Sequence, residues 1–285
     1  MPRRTGYQPG SPCWVDCITP DLTGTQRFYR ELFGWEFTEE GIGYQLIRLG
    51  GEIIGGLGAS PPGLPPAAIW TVYLATKDAD TTCAQVRELG GRTVMGPVAA
   101  GEDGRLFLAV DPSGAPVGFW EGHHNVGVVL ADEAGAVCDF ELRTPWPERA
   151  EQFYGGLFGY TLGAPNRHET LDLAGEQDPH ETLDLGGVPQ ARLTRIGLGE
   201  HPHWLPHFGV PGAAEALDTS ETLDASEVPD ASEASDASVQ DAVARAVALG
   251  AQVLHAVPHG PTLLRDPAGA VFALGPVGVA AVTGS

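Results

Sequence analysis

The first apolar run, PCWVDCIT over residues 12–19, reads as a strand. TPD then supplies a turn and a helix start, and LTGTQRFYRELFG spaces its apolar residues for one helix face before Gly34 stops it. Three short strands follow at WEFTEE, YQLIRL and EIIGGL, so the unit is βαβββ. After the proline-rich break PPGLPP the order recurs, with a strand at IWTVYLA, a helix through TTCAQVRELGG, and strands at RTVM, RLFLAV and PVGFWE. A domain over residues 1–122 thus holds two such units.

The chain then does the same again. CWVDCITPDLTGTQRFYRELFGWEF, residues 13–37, returns as CDFELRTPWPERAEQFYGGLFGYTL, residues 138–162, at a constant offset of 125. Trp14 becomes Asp139 on the second pass, and Asp21 becomes Trp146. CDFELRT, ERAEQFYGGLFG, ETLDLGG, PHWLPHFGV, VQDAVARAVALG and TLLRDPAGAVFAL match their earlier counterparts one for one. The chain is therefore read as α+β, with four βαβββ units: a linker at 123–134 and a second domain at 135–281. Trp70 and Asp111 are 41 positions apart, whereas Trp204 and Asp266 are 62 apart, so about twenty residues are inserted. The insert, AAEALDTSETLDASEVPDASEASDAS at 213–238, buries too little surface to offset its conformational entropy. It is expected to be a disordered surface loop, the alternative being an acidic arm that docks a partner. HETLDL occurs at 168–173 and again at 180–185. Repetition of the whole hexamer favours tandem slippage over a metal site at His168 and His180.

Composition narrows the classes. With 37 acidic against 16 basic residues the formal charge is −21, which repels phosphate backbones and anionic lipid and argues against nucleic-acid or membrane partners. Lys77 is the only lysine, so Schiff-base chemistry has a single candidate at an exposed strand end. Cys13, Cys17, Cys83 and Cys138 form no C-x-x-C pair and sit in apolar patterns, where a thiol behaves as a small hydrophobe. With no signal segment and no membrane-spanning apolar run, a reducing cytoplasm is the expected location. Nucleophile elbows, Walker-type GK[ST] and H-E-x-x-H are missing, and DPSG and DPAG read as turns between strands.

TPDLTGTQRFYRELFGW, VDPSGAPVGFW, RTPWPERAEQFYGGLFGY and RDPAGAVFALG resemble the vicinal-oxygen-chelate superfamily, which includes glyoxalase I, bleomycin-resistance proteins and extradiol dioxygenases. The likeness spans roughly residues 10–122 and 135–278 and is nearest to a tandem two-domain subgroup labelled hydroxylase or antigen. It implies tandem glyoxalase-like domains whose curved mixed sheets form cups for a small molecule. Enzymes of the family hold in the cup a divalent metal that chelates two neighbouring substrate oxygens. The resemblance places usual ligands at Trp14 and Asp139, at Thr71 and Leu205, and at Gly118 and Ala273. Of these only Asp139 can bind a metal, and one carboxylate is not a site.

Strand alternation then sends Asp16 to the face of Trp14, Tyr73 to that of Thr71, and Trp120 to that of Gly118. In the second domain it groups Asp139 with Glu141, and Leu205 with His203 and His207, with Arg143 beside them. The candidate ligand-binding residues are accordingly Trp14, Asp16, Tyr73 and Trp120 in one cup, and Asp139, Glu141, Arg143, His203 and His207 in the other. Such linings suit a flat, mostly apolar ligand with a few polar handles. The competing readings are a collapsed cup filled by the aromatics, an unorthodox metal site from His201, His203 and His207 with Asp139 or Glu141, and an Arg143–Glu141 pair that merely decorates the surface. His123 and His124 are expected to face solvent.

These readings assign no catalytic residue, no metal and no cofactor. They point to a metal-free protein that binds an aromatic natural product, an anthracycline or other polyketide, in its biosynthesis, sequestration or resistance. The alternative is an oxygenase, hydroxylase or isomerase, either with rearranged metal ligands or with Asp16 or Glu141 as general base. Some two-domain relatives sit in gene clusters for anthracyclines, where one accompanies the late hydroxylation that gives doxorubicin, so the resemblance implies a biosynthetic oxygenase as a partner. Fusion of two domains mimics the dimer of single-domain relatives, and a monomer is expected.

Overall fold

The computed structural model of the protein describes residues 3–41, 43–61, 67–163, 181–211, 231–257 and 260–277. Strand β1 (Pro12–Thr19) leads into helix α1 (Leu22–Phe33) and strands β2 (Glu36–Glu39), β3 (Tyr44–Leu49) and β4 (Glu52–Ala59). The pattern repeats with β5 (Ile69–Ala75), α2 (Ala79–Glu88), β6 (Arg92–Ala100), β7 (Gly104–Val110) and β8 (Pro116–Gly122). In the second half β9 (Val137–Thr144), α3 (Pro147–Phe158), β10 (Tyr160–Gly163), β11 (Glu181–Leu185) and β12 (Val188–Arg195) form the third unit. The fourth comprises β13 (His203–Val210), α4 (Ala231–Ala248), β14 (Gln252–Ala256), β15 (Thr262–Arg265) and β16 (Val271–Pro276). Each half is one eight-stranded mixed sheet, in the order β2-β3-β4-β1-β5-β8-β7-β6 and then β10-β11-β12-β9-β13-β16-β15-β14. The α+β class and its tandem organisation are as the sequence implies. Helix α4 begins at Ala231, upstream of VQDAVARAVALG, so the last part of the acidic insert is helical where a disordered loop was expected. Residues 213–230 of the insert, and His168 and His180, lie outside the described residues.

Local chemistry explains the helix boundaries. The Asp21 carboxylate caps α1 by accepting from the Gly24 amide at 2.9 Å, and Asp78 caps α2 through the Thr81 amide at 2.8 Å. Helix α3 starts instead with Trp146 and Pro147, without a side-chain cap, and the guanidinium of Arg149 stacks over the Trp146 ring at 4.7 Å. Gly34 and Gly159 close α1 and α3 in the left-handed conformation, which a side chain would strain.

The two halves share one continuous apolar core. At its centre two polar relays cross between them reciprocally. The Tyr29 hydroxyl on α1 donates to Asp266 at 3.0 Å, while the Tyr154 hydroxyl on α3 donates to Asp111 at 2.9 Å. Each tyrosine also accepts from an indole N–H at 2.9 Å, Trp70 for Tyr29 and Trp204 for Tyr154. Asp111 and Asp266 are the aspartates of DPSG and DPAG. Their other oxygens hold the turn, Asp111 Oδ1 taking both Ser113 donors and the Ala115 amide, and Asp266 Oδ1 the Ala268 and Ala270 amides. The repeated FY of the two helices thus locks each half onto the other's turn. All of these aspartate and tyrosine groups are buried, and the free cysteines Cys13, Cys17 and Cys83 are buried as well. No helix among the described residues is long and apolar enough to cross a membrane.

Candidate ligand-binding site

The first sheet wraps a cavity of about 680 Å³. Its walls come from six strands: Trp14 and Asp16 on β1, Tyr44 and Leu46 on β3, Tyr73 on β5, Ala100 on β6, Leu106 on β7 and Trp120 on β8. Strand pairing sets this convergence, since Trp14 lies opposite Tyr73, and Trp120 opposite Leu106. Two glycines make the space for the rings. A Cβ at Gly118 would stand 2.2 Å from the Tyr73 ring, and one at Gly56 would stand 1.9 Å from the Tyr44 hydroxyl. Gly118, a position where the resemblance expects a metal ligand, is therefore the recess over which Tyr73 lies.

Asp16 sits at the floor, 5% exposed. The Tyr73 hydroxyl donates to its Oδ2 at 3.0 Å, the Tyr44 hydroxyl to the same oxygen at 3.3 Å, and the Trp14 indole to the Tyr44 hydroxyl at 3.3 Å. Oδ1 is buried and has no partner among the described residues. Burial raises the acid's pKa to about 7, the two phenol hydrogen bonds opposing the shift only in part. An unpaired acceptor in an apolar chamber is costly unless something arrives to meet it.

Sequence alternation brings the same strand positions together in the second half, but with different chemistry. Glu141 and His207 replace Asp16 and Tyr73, and share a hydrogen bond at 3.0 Å. The Arg143 guanidinium donates to the other Glu141 oxygen at 2.9 Å. Burial pushes Glu141 upward, but the His207 hydrogen bond and charge, Arg143 and the Thr194 hydroxyl outweigh it and hold the carboxyl at about 2. Both its oxygens are thus engaged. Asp139 pairs with Arg192. The Arg143–Glu141 pair is not a surface decoration, since its side chains are 15% and 5% exposed. His203 bonds the His201 carbonyl at 2.9 Å through Nδ1, its Nε2 is buried without a partner, and burial lowers its pKa. Leu205, Leu263 and Ala273 pack as a small apolar cluster of their own.

Trp14, Asp16, Tyr73 and Trp120 therefore meet in one cavity, with open space between them rather than a collapsed cup. Asp139, Glu141, Arg143, His203 and His207 lie on the paired strands β9 and β13, and most of their polar atoms are spent on one another or on Arg192. His123 and His124 have side chains 48% and 73% exposed, although His124 stands at the cavity mouth. Tyr44 and Arg192 were not among the candidates. Tyr44 shares the inward face of its strand with Leu46, and that alternation was its available signal.

A chelated metal needs several convergent donors. Among the described residues no three His, Cys, Asp or Glu side chains gather to hold one. The first cup offers one carboxylate with two phenols, and the second commits Glu141 to His207 and Arg143. The described donor set does not fit the family metal.

Residues 14–119 match the Glyoxalase/Bleomycin resistance protein/Dioxygenase superfamily, and residues 135–275 match the glyoxalase-like domain. The chain belongs to this superfamily. Among its relatives is the anthracycline biosynthesis protein DnrV of Streptomyces peucetius, 31% identical over 225 residues, which are 72% of this chain and 79% of the relative. CFP32 of Mycobacterium tuberculosis, which carries a glyoxylase name, is 29% identical over 286 residues, covering 96% of this chain and 97% of that one. Solved structures with this fold include a Mn(II)-bound glyoxalase from Novosphingobium aromaticivorans (TM-score 0.55, 13% identity, 94% of this chain and 82% of that one). Another is a substrate complex of homoprotocatechuate 2,3-dioxygenase from Brevibacterium fuscum (TM-score 0.57, 17% identity, 96% and 82%).

For this superfamily member, the Asp16 environment makes a stability prediction. The folded state keeps a proton on Asp16 that the unfolded chain, with its ordinary carboxyl, has released, so folding loses free energy as pH rises from about 4 to about 7. Asp16→Asn removes this titration. The variant's unfolding free energy relative to the parent is expected to rise by about 3–4 kcal/mol between pH 4 and pH 8, measured by urea denaturation at each pH. A difference that stays flat with pH contradicts the assignment.

Proposed function

We propose that this protein binds a planar aromatic natural product of polyketide type in its first cup, without a metal, and serves that compound's biosynthesis, sequestration or resistance. One observation carries the reading: a cavity walled by Trp14, Tyr44, Tyr73 and Trp120 has the buried Asp16 carboxyl in its lining, one oxygen of which no described residue satisfies. Aromatic walls favour stacking of a flat ring system, and a lone acceptor at the floor favours a ligand hydroxyl or other donor pointing inward. The volume is that of a drug-sized molecule. Kinship with a protein named for anthracycline biosynthesis supports the ligand class.

Titration with a dihydroxyanthraquinone tests the proposal through tryptophan fluorescence, because Trp14 and Trp120 face the cavity. Saturable quenching is expected, with affinity about tenfold weaker in Trp14→Ala and in Trp120→Ala. Absence of quenching up to the ligand's solubility, or affinity in both variants unchanged from the parent protein, contradicts it.

A second reading has one observation in its favour. A carboxyl whose pKa lies near neutrality and which lines the cavity is suited to accept a proton from a carbon beside a carbonyl of a bound ligand. In that case Asp16→Asn binds the compound but does not catalyse exchange of its acidic hydrogen with solvent deuterium, whereas the parent protein does.

A further inference from the structure

The mouth of the first cup has a charge that its walls do not require. Glu40 stands on one side, and Glu102 and Asp103, at the turn between β6 and β7, on the other. With Asp16 at the floor, four carboxyl side chains line the chamber among the described residues, and no described arginine or lysine lines it. Among the described lining residues His124 is the one able to carry positive charge, and its ring lies 3.9 Å from Glu102 at an exposed position. Apart from Asn125 the remaining described wall is apolar or aromatic, and the tryptophan and tyrosine faces are themselves electron-rich surfaces that attract cations.

Acidic side chains at a rim are often only a solvated edge. The observation that sets this rim apart is Asp16, which lines the same cavity and whose buried Oδ1 has no donor among the described residues. The acceptor at depth and the carboxylates at the mouth act in the same direction on any ligand that spans the chamber. An anionic ligand meets repulsion at both ends, and a neutral one leaves the rim's field unused. The second cup, by contrast, has Arg143 and Arg192 set against its carboxylates, so its charges are already compensated.

We propose that the first cup selects an aromatic ligand bearing a protonated amine, with the ring system between Trp14, Tyr73 and Trp120 and the ammonium group drawn by the carboxylates of Asp16, Glu40, Glu102 and Asp103. The inference rests on the ligand class proposed above and adds the sign of its charge. Fields focused by a low-dielectric cleft raise both the encounter rate and the discrimination against the wrong charge. Part of the preference comes from exposed rim groups, so it weakens as salt rises.

The test uses three probes with one ring system: an anthraquinone bearing a protonated aminoethylamino side chain, a neutral dihydroxyanthraquinone and an anthraquinone sulfonate. Dissociation constants for the full-length protein are measured by tryptophan quenching and by calorimetry at low and high salt. The cationic probe is expected to bind about tenfold tighter than the neutral one, with the sulfonate weaker still, and the gap is expected to narrow at high salt. Glu102→Gln combined with Asp103→Asn, two isosteric changes at the β6–β7 turn, is expected to reduce the cationic preference about threefold while leaving the neutral probe unchanged. Equal binding of cationic and neutral probes, or a preference untouched by both the rim variant and Asp16→Asn, overturns the charge selection but leaves aromatic binding standing. Failure of all three probes to bind overturns both.

Discussion

Replacing Asp111 with alanine is expected to lower the unfolding free energy by about 3–5 kcal/mol. The side chain is 3% exposed and takes four donors, two from Ser113, one from the Ala115 amide and one from the Tyr154 hydroxyl. Its loss strands those donors in the core and opens the turn between β7 and β8. It also frees Tyr154, which carries the Trp204 indole, so the damage reaches the second half of the chain. Tyr154→Phe should cost less, about 1–3 kcal/mol, because the backbone donors keep Asp111 Oδ1. Equilibrium urea denaturation followed by fluorescence measures both. A cost below about 1 kcal/mol for Asp111→Ala means that the relay is not a structural lock.

Gly118→Val is expected to weaken binding of a planar aromatic ligand about a hundredfold. A Cβ there overlaps the Tyr73 ring, which has nowhere to go except into the cavity, and the swing also withdraws the phenol from Asp16. Overpacking of this kind costs about 1–3 kcal/mol in stability, so the variant should remain folded in a chain of this size. Combining it with Tyr73→Ala should restore stability and part of the affinity, since the two positions compete for one volume. Isothermal calorimetry on the two single variants and the pair distinguishes this steric account from general disruption; unchanged affinity in Gly118→Val contradicts it.

Much of the fold was legible because the pattern repeats. Apolar spacing, the Asp21 and Asp78 caps and the terminal glycines each specify a local element, and the offset of 125 carries the first strand, its helix and the closing Gly34, though not the Asp21 cap, into the second half. The inward sets Trp14 with Asp16 and Asp139 with Glu141 followed from the period of a strand. What the strand period cannot give is register between strands distant in the chain. Tyr44 reaches Asp16 across 28 positions only because Gly56 leaves room for it, and Arg192 reaches Asp139 across 53. Neither pairing leaves a mark in local composition. DPSG and DPAG show the same limit, for their turn chemistry was readable while the tyrosine each aspartate receives from the other half was not. Helix α4 extends into a stretch whose alanine, serine and acidic content argued for disorder. Its alanines also favour helix, and the apolar VQDAVARAVALG that follows gives that helix a face to dock.

The resemblance to metal enzymes and the residues themselves point in different directions, and the physical reason is local. At the positions where the resemblance places metal ligands, the first cup has Trp14, Thr71 and Gly118, and the second has Leu205, Ala273 and an aspartate neutralised by Arg192. One half has spent its central carboxylate on a histidine and an arginine, while the other holds a carboxyl with an oxygen left over.

The most direct measurement is a crystal structure of the protein soaked with a dihydroxyanthraquinone. The expected density is a flat ring system between Trp14, Tyr73 and Trp120 with a hydroxyl within hydrogen-bond distance of Asp16 Oδ1. A cavity left empty while the compound sits elsewhere, or a metal ion coordinated by Asp16, would contradict the account.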